Sequence, residues 1–325
     1  MPDLLTVENL KVALEDPESG RRGWVLRGVD LRVAEGERLA LVGESGCGKS
    51  VTALTIMNLL PQPPMEWVSG KIILQNLDLK NLPPGEWRRI RGGKIAMVFQ
   101  EPFVSLNPNL RVGDQIEEAV GLHAGLRGEA ARERISALLR EVGLADPERI
   151  ARQYPHQLSG GMCQRVMIAM AVSCLPSLLI ADEPTTALDV TVQAQILEML
   201  FRLTEERHLA LLFITHNLTL IRGYAHRVAI FYAGQVVEEG TPEDIFDHPQ
   251  HPYTEGLLAA LPDLERRGKP LFNIPGNVPS PFGEWVGCCF ADRCSRVQEP
   301  CRQKAPELVG IQKGHRARCF YPSKK

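Results

Sequence analysis

Long apolar runs are missing from this chain of 325 residues. The longest nearly apolar stretch, Val166 to Ala181, is broken by Pro176 and ends against Asp182 and Glu183. It falls short of the ~20 residues a membrane helix needs, so the chain is not expected to cross a bilayer by itself. Excess charge of either sign is missing too: 37 basic residues face 39 acidic ones. A net charge of −2 gives no global field for gripping a polyanion, which excludes a general nucleic-acid coat. The opening MPDLLTVENL lacks the basic, apolar and small-residue order of a secretory signal, so a cytosolic location is expected. No repeat or low-complexity tract occurs. Cysteine is scarce through the body, where only Cys47, Cys163 and Cys174 precede residue 288. Cys288, Cys289, Cys294, Cys301 and Cys319 then crowd the end. In a reducing compartment such a cluster points to a metal site rather than a disulfide framework.

What is present is a composition able to bury a sizeable core, 44% hydrophobic and 23% charged, enough for one large domain or two. Leu4 to Val12, Trp24 to Val33 and Arg38 to Val42 read as strands, and a glycine-rich loop with the start of a helix occupies Gly43 to Leu60. Between about Leu110 and Tyr154 the pattern turns helical, with Ile116, Ala119, Val120 and then Ile135, Leu138, Leu139, Val142 at three-and-four spacing. Alternation resumes with a helix over Gly161 to Ser173, a strand over Leu178 to Ala181, a helix over Val192 to Glu206 and a strand over Leu209 to Thr215. A helix near Leu218 to Tyr224 and strands around Val228 to Glu238 follow. Such alternation makes a mostly parallel sheet covered by helices, an α/β fold. After about His248 the chain is rich in Pro and Cys, with little periodicity.

Three segments carry phosphate chemistry. Gly43-Glu44-Ser45-Gly46-Cys47-Gly48-Lys49-Ser50 fits the pattern G-x-x-x-x-G-K-[ST] between a strand and a helix. There the glycines let backbone N–H groups turn toward a β-phosphate, Lys49 reaches the β- and γ-phosphates, and Ser50 ligates Mg²⁺. Cys47 lies inside that loop at a helix N-terminus, an environment expected to lower its thiol pKa and make it reactive. Leu178 to Glu183 is an apolar strand ending in two acids, which supplies Asp182 for the Mg²⁺ shell and Glu183 as general base. Leu158-Ser159-Gly160-Gly161-Met162 opens another helix with small residues able to hold an anion.

Together with Gln100 after the strand Ile95 to Phe99, the Ala187-Leu188-Asp189 turn and His216 after Leu209 to Thr215, these segments resemble the cassette ATPases of ABC transporters. The resemblance implies a P-loop NTPase cassette: a RecA-like core with an antiparallel β subdomain over residues 1–110, a helical subdomain over 111–157, and the second part of the core over 158–247. It implies that ATP and Mg²⁺ are bound by Gly43 to Val51, with Ser50, Gln100 and Asp182 at the metal. Gln100 senses the metal and the membrane subunit, Glu183 activates water, and His216 contacts the γ-phosphate. Ser159, Gly160 and Gly161 grip the nucleotide of a partner cassette, and Asp189 shapes the opposite site, so one copy is half of a catalytic unit. In place of the aromatic that often stacks on adenine, Leu14 stands after Val12, and Trp24 is the nearest aromatic.

The tail, 248–325, resembles the C-terminal extension of oligopeptide and dipeptide importer ATPases. The segments that carry this are His251-Pro252-Tyr253-Thr254, Ile274 to Pro279, Gly287-Cys288 and Arg293-Cys294; in the body, Gln100-Glu101-Pro102, Ser105 to Pro108 and Tyr154 to Gln157 agree. The resemblance implies four cysteine ligands, matched by Cys288, Cys294, Cys301 and Cys319, with Cys289 exchangeable with Cys288 by a one-residue shift. Thiolates alone suit an iron-sulfur cluster or zinc. The C-x₂-C pairs usual for structural zinc are absent, and the family favours a 4Fe-4S cluster. With nothing in the tail resembling a phosphate or water ligand, its expected role is structural or regulatory. Implied partners are a second ATP-binding subunit, two integral-membrane permeases docking near Gln100 to Leu110, and an extracytoplasmic solute-binding protein, at the cytoplasmic face of the membrane. Peptides are the default cargo, with nickel, glycosides or other small solutes as alternatives. A soluble cassette acting on DNA or ribosomes would bring long coiled coils or a second cassette. A non-enzymatic module would lack Glu183 or His216, and an exporter would carry fused membrane helices.

Overall fold

The computed structural model describes residues 2–186, 188–261, 272–283 and 285–323. Ala187 of the expected Ala187-Leu188-Asp189 turn lies outside the described residues. By contacts the chain divides into two interleaved units. One unit comprises residues 1–4, 33–37 and 81–213; the other comprises 5–32, 38–80 and 214–325.

Nearly all of β1 (Asp3–Glu15) and β2 (Arg22–Ala34) belongs to the second unit, followed by β3 (Arg38–Val42), α1 (Lys49–Ile56), β4 (Met65–Leu74) and β5 (Leu77–Asp78). β2, β1, β4 and β5 form one sheet in that order, and β1 runs antiparallel to β4 with Leu5 opposite Leu74 and Val7 opposite Ile72. Leu5, Val7, Leu10 and Val12 of β1 are buried, the two pairs falling on either side of the irregular pairing that begins after Glu8. The helix after the glycine-rich loop begins only at Lys49, because Gly46 and Gly48 sit at φ 76° and 109° and keep the chain out of helical geometry.

The first unit then holds α2 (Pro84–Ile90), β6 (Ile95–Val98), α3 (Pro102–Ser105), α4 (Val112–His123), α5 (Gly128–Glu141), α6 (Pro147–Arg152), α7 (Gly160–Val172), β7 (Leu178–Asp182), α8 (Val190–Glu206) and most of β8 (Ala210–Thr215). β6 and β7 are parallel, Ile95 opposite Leu178 and Val98 opposite Ala181, and every residue of both is buried. The three-and-four pattern packs α4 and α5 through Val112, Ile116 and Val120 on one helix and Ile135, Leu138 and Leu139 on the other. Buried Gln115 ties the preceding loop to α4: it accepts from the N–H of Asn107 and donates to the carbonyls of Asn107 and Leu110.

The second unit resumes with β9 (Arg227–Tyr232), β10 (Gln235–Gly240), α9 (Pro242–Asp247), α10 (Pro252–Ala259), α11 (Glu299–Gln303), β11 (Val309–Gln312) and β12 (His315–Ala317). The strand order here is β11-β12-β10-β9-β3, with β3 parallel to β9 and the others antiparallel. The expected helix at Leu218 to Tyr224 shrinks to a 3₁₀ turn over Leu218–Leu220. The Asn217 side chain accepts from the N–H and hydroxyl of Thr219, which diverts the backbone from helix. The tail, expected to lack periodicity, contributes α10, α11, β11 and β12 among the described residues. Beneath them Glu238 of β10, fully buried, accepts from the N–H groups of Gln250 and His251 and pairs with His315 Nε2 at 2.8 Å. Among the described residues no helix is long and apolar enough to cross a membrane.

Candidate functional site

The phosphate loop of the second unit is built by packing as much as by turn chemistry. A Cβ at Gly43 would stand 2.1 Å from the Phe231 carbonyl oxygen, and one at Gly48 would stand 2.8 Å from Leu26. Only glycine fits either place. Lys49, 4% exposed, donates to the carbonyls of Gly43 and Glu44 at 2.8 and 3.0 Å. Its ammonium therefore lies against the loop backbone, while Ser45 and Gly46 are exposed and Ser50 and Val51 half-buried. Cys47 corrects an expectation. It is 1% exposed, and burial pushes its thiol up rather than down, despite the Lys49 ammonium beside it. Desolvation outweighs the helix terminus and the nearby cation, so Cys47 is not a reactive thiolate. His216, exposed, follows β8 in the same unit.

In the first unit, Asp182 ends β7 and is 6% exposed, and Glu183 follows at φ 45°. A left-handed non-glycine residue is uncommon, and such strain concentrates at functional sites. Thr186 Oγ1 donates to Glu183 Oε2 at 3.0 Å, and Gln100 Nε2 approaches the same oxygen at 3.5 Å. Gln100 and Glu183 are thus brought together across 83 positions of chain, and Thr186 is a partner that sequence reasoning missed. Ser159 caps α7 by accepting from the Met162 N–H at 3.3 Å, and its side chain is exposed. A Cβ at Gly161 would meet Val192 at 2.8 Å, whereas Gly160 has ordinary clearance. Asp189 caps α8 by accepting from the Val192 N–H at 3.0 Å.

The tail cysteines converge only in part. Cys288, Cys294, Cys301 and Cys319 all line one cavity of about 20 Å³ together with His251. Cys289 lies on a separate cavity of about 220 Å³, which Cys288 also borders, and not on this one. The expected metal-bound extension and its 4Fe-4S cluster are nevertheless not supported as such. Among the described residues no group of three or more His, Cys, Asp or Glu is arranged to hold a metal ion. The thiols ring a water-sized space instead, and Cys288 engages Cys289, whose hydrogen bond holds the Cys288 thiol well below its usual range. Burial raises Cys294 and pushes Cys319 up to about 11.

Sequence reasoning also missed what the tail does to the phosphate loop. Arg293 donates to both carboxylate oxygens of Glu44 at 3.0 and 3.2 Å, and the Tyr253 hydroxyl accepts from the Glu44 N–H at 3.0 Å. Nothing local signals contacts that span 249 and 209 residues.

Residues 26–186 match the ABC transporter family, and residues 237–301 match the family described as Oligopeptide/dipeptide transporter, C-terminal region. The chain is 48% identical to the probable peptide ABC transporter ATP-binding protein y4tR of Sinorhizobium fredii, over 98% of this chain and 94% of that protein. It is 45% identical to the oligopeptide transport ATP-binding protein AppD of Bacillus subtilis, over 98% of this chain and 97% of that protein. The solved dimeric structure of the ATP-binding cassette MJ0796 bound to ADP and Pi has a TM-score of 0.65 at 30% identity, covering 73% of this chain and 98% of that one. A P-loop cassette that carries both the ATPase body and this extension belongs to the ATP-hydrolysing subunits of ABC transporters, in the oligopeptide/dipeptide family.

Proposed function

We propose that this ATPase powers the import of di- or oligopeptides from the cytoplasmic face of the membrane, working with a second cassette, two permeases and an extracytoplasmic solute-binding protein. The observation that carries the reading is the extension: residues 237–301 match the oligopeptide/dipeptide C-terminal region, and the relatives similar over the whole chain are named for peptide transport. The division into 1–110, 111–157, 158–247 and 248–325 belongs to the same proposal.

In the proposed cycle the loop Gly43 to Val51 binds the phosphates of ATP through backbone N–H groups and Lys49. Ser50, Asp182 and Gln100 supply the hydroxyl, carboxylate and amide oxygens that Mg²⁺ takes as ligands; bound there, the ion would neutralise charge on the phosphates. Glu183 accepts the proton of the attacking water, and Gln100 and Thr186 hold its carboxylate in place. His216 contacts the γ-phosphate, and Ser159, Gly160 and Gly161 grip the nucleotide of the partner cassette. Closure on ATP and opening after hydrolysis drive the permeases.

The cavity lined by Cys288, Cys294, Cys301 and Cys319 is part of the proposal as a metal site. Its support is donor chemistry: four soft thiols line one space, a set suited to iron-sulfur or zinc. We read it as a 4Fe-4S site, with zinc as the alternative. Anaerobically purified protein is expected to be brown and to carry about four irons per chain. A colourless preparation with one zinc would select the alternative, and absence of metal from an ordered tail would overturn both. The transport reading is tested by purifying the chain from native membranes, identifying its partners by mass spectrometry, and measuring peptide-stimulated ATP turnover. Partners without permeases, or turnover indifferent to peptide, would overturn it.

A further inference from the structure

The extension reaches into the phosphate loop through one saturated guanidinium. Arg293 uses every N–H donor it has. Nη1 donates to Glu44 and to the Tyr232 hydroxyl, Nη2 to Glu44 and the Ile274 carbonyl, and Nε to the Pro275 carbonyl. The side chain is 6% exposed and lies against the rings of Tyr232 and Phe290 at 5.7 and 6.0 Å. Tyr253, fully buried, packs its ring against Tyr232 at a 54° tilt, centroids 4.5 Å apart, and its hydroxyl accepts from the Glu44 N–H. Lys49 holds the Glu44 carbonyl from the other side. The second residue of the phosphate loop is thus pinned at its N–H, its carbonyl and its side chain, two of the three from the extension.

We propose that Arg293 and Tyr253 are positioning residues that pre-organise the phosphate loop, so that the extension sets the affinity of the body for ATP. A loop already ordered loses less conformational freedom when it closes on phosphates, and the saving appears as affinity. Arg293 touches neither nucleotide nor water in this scheme. It acts through Glu44, and it directly precedes Cys294 on the cysteine-lined cavity, so loss of order at that cavity reaches the loop through one peptide bond. The inference rests on the loop binding phosphate but not on any metal in the tail.

The test is equilibrium binding of MgATP, together with saturating turnover, for the full chain and its Arg293→Ala, Glu44→Ala and doubly substituted forms. Each single variant is expected to bind ATP about tenfold more weakly, the scale of one lost charge-assisted contact. The double variant should be no weaker than either single one. Turnover of Arg293→Ala at saturating ATP should stay within about twofold, since the contact is the same in ground and transition states. Wild-type affinity in Glu44→Ala, which leaves the extension untouched, would overturn the proposal even where Arg293→Ala fails to fold. Multiplying effects in the double variant would also overturn it. Lys49→Ala separates the two readings: it should abolish binding, and unchanged binding there would instead defeat the assignment of the loop.

Discussion

Glu238 offers a graded test of what fastens the extension to the sheet. Its Oε1 accepts from the Gln250 N–H at 2.6 Å and faces His315 Nε2 at 2.8 Å, while Oε2 accepts from the His251 N–H at 2.9 Å. No water reaches the group, which is fully buried. In Glu238→Gln the amide oxygen can occupy the Oε1 place and keep two partners, but its NH₂ then confronts the His251 N–H. One orphaned donor costs about 1–3 kcal/mol. In Glu238→Ala the Gln250 and His251 N–H groups and His315 Nε2 all lose their partner, and only Asp244 Oδ1, 3.7 Å from Nδ1, remains by the ring, a loss of about 3 kcal/mol or more at ~1–3 kcal/mol per orphaned buried group. The assay is amide hydrogen exchange across residues 248–253, because local opening exposes those N–H groups directly. Protection should fall by about tenfold or more in the Gln variant and by more than about a hundredfold in the Ala variant. Equal, small effects of the two substitutions would refute the reasoning, for they would mean that the donors find water and that the carboxylate does not hold the seam.

Further expectations follow from the two units. Glu183→Gln should retain ATP binding and lose turnover by at least about a hundredfold, read by phosphate release, because the amide cannot take a proton from water; wild-type turnover would remove Glu183 as the base. Maleimide should leave Cys47 unlabelled in the folded protein, its thiol buried and pushed up; rapid labelling by peptide mass would contradict that. Burial pushes Cys163 up to about 11 from an ordinary 9.0. Its folded pKa lies above its unfolded one, so its contribution to stability is whole below about 9 and fades as pH rises toward about 11. Urea midpoints measured across that window should fall more steeply in wild type than in Cys163→Ala. Asp189→Ala removes the cap of α8 and should cost about 1 kcal/mol in the same assay.

How much was legible depended on how local the cause was. Strands that are apolar but for one terminal residue, β3, β7 and β8, announced themselves within a residue of their ends, and the phosphate loop was legible because its glycines, Lys49 and Ser50 fall within eight residues. The helix expected after His216 was lost to the side chain of Asn217, a local competitor whose strength periodicity does not register. Cys47 was misjudged because sequence shows the helix N-terminus but not the burial that outweighs it. The extension was hardest. Its order comes from Glu238, Tyr232 and Glu44, residues of the body, so no pattern within the tail could encode it.

The addition of β12 and β11 beyond β10 also moves the free edge of the sheet. β10 is six residues long, buried along nearly its whole length, and carries one irregularity, between Val236 and Glu238 in its pairing with β9. A strand of that kind, left as an open edge, is a template for a second copy of itself. β11, which takes over the edge, is four residues long, exposed throughout and interrupted by a bulge between Gly310 and Gln312, features that discourage further pairing. The extension is therefore a guard against self-association as well as a brace, and nicking it should register first as light scattering. Quality control in the cell would then meet a damaged subunit as an aggregate before it met it as an idle motor.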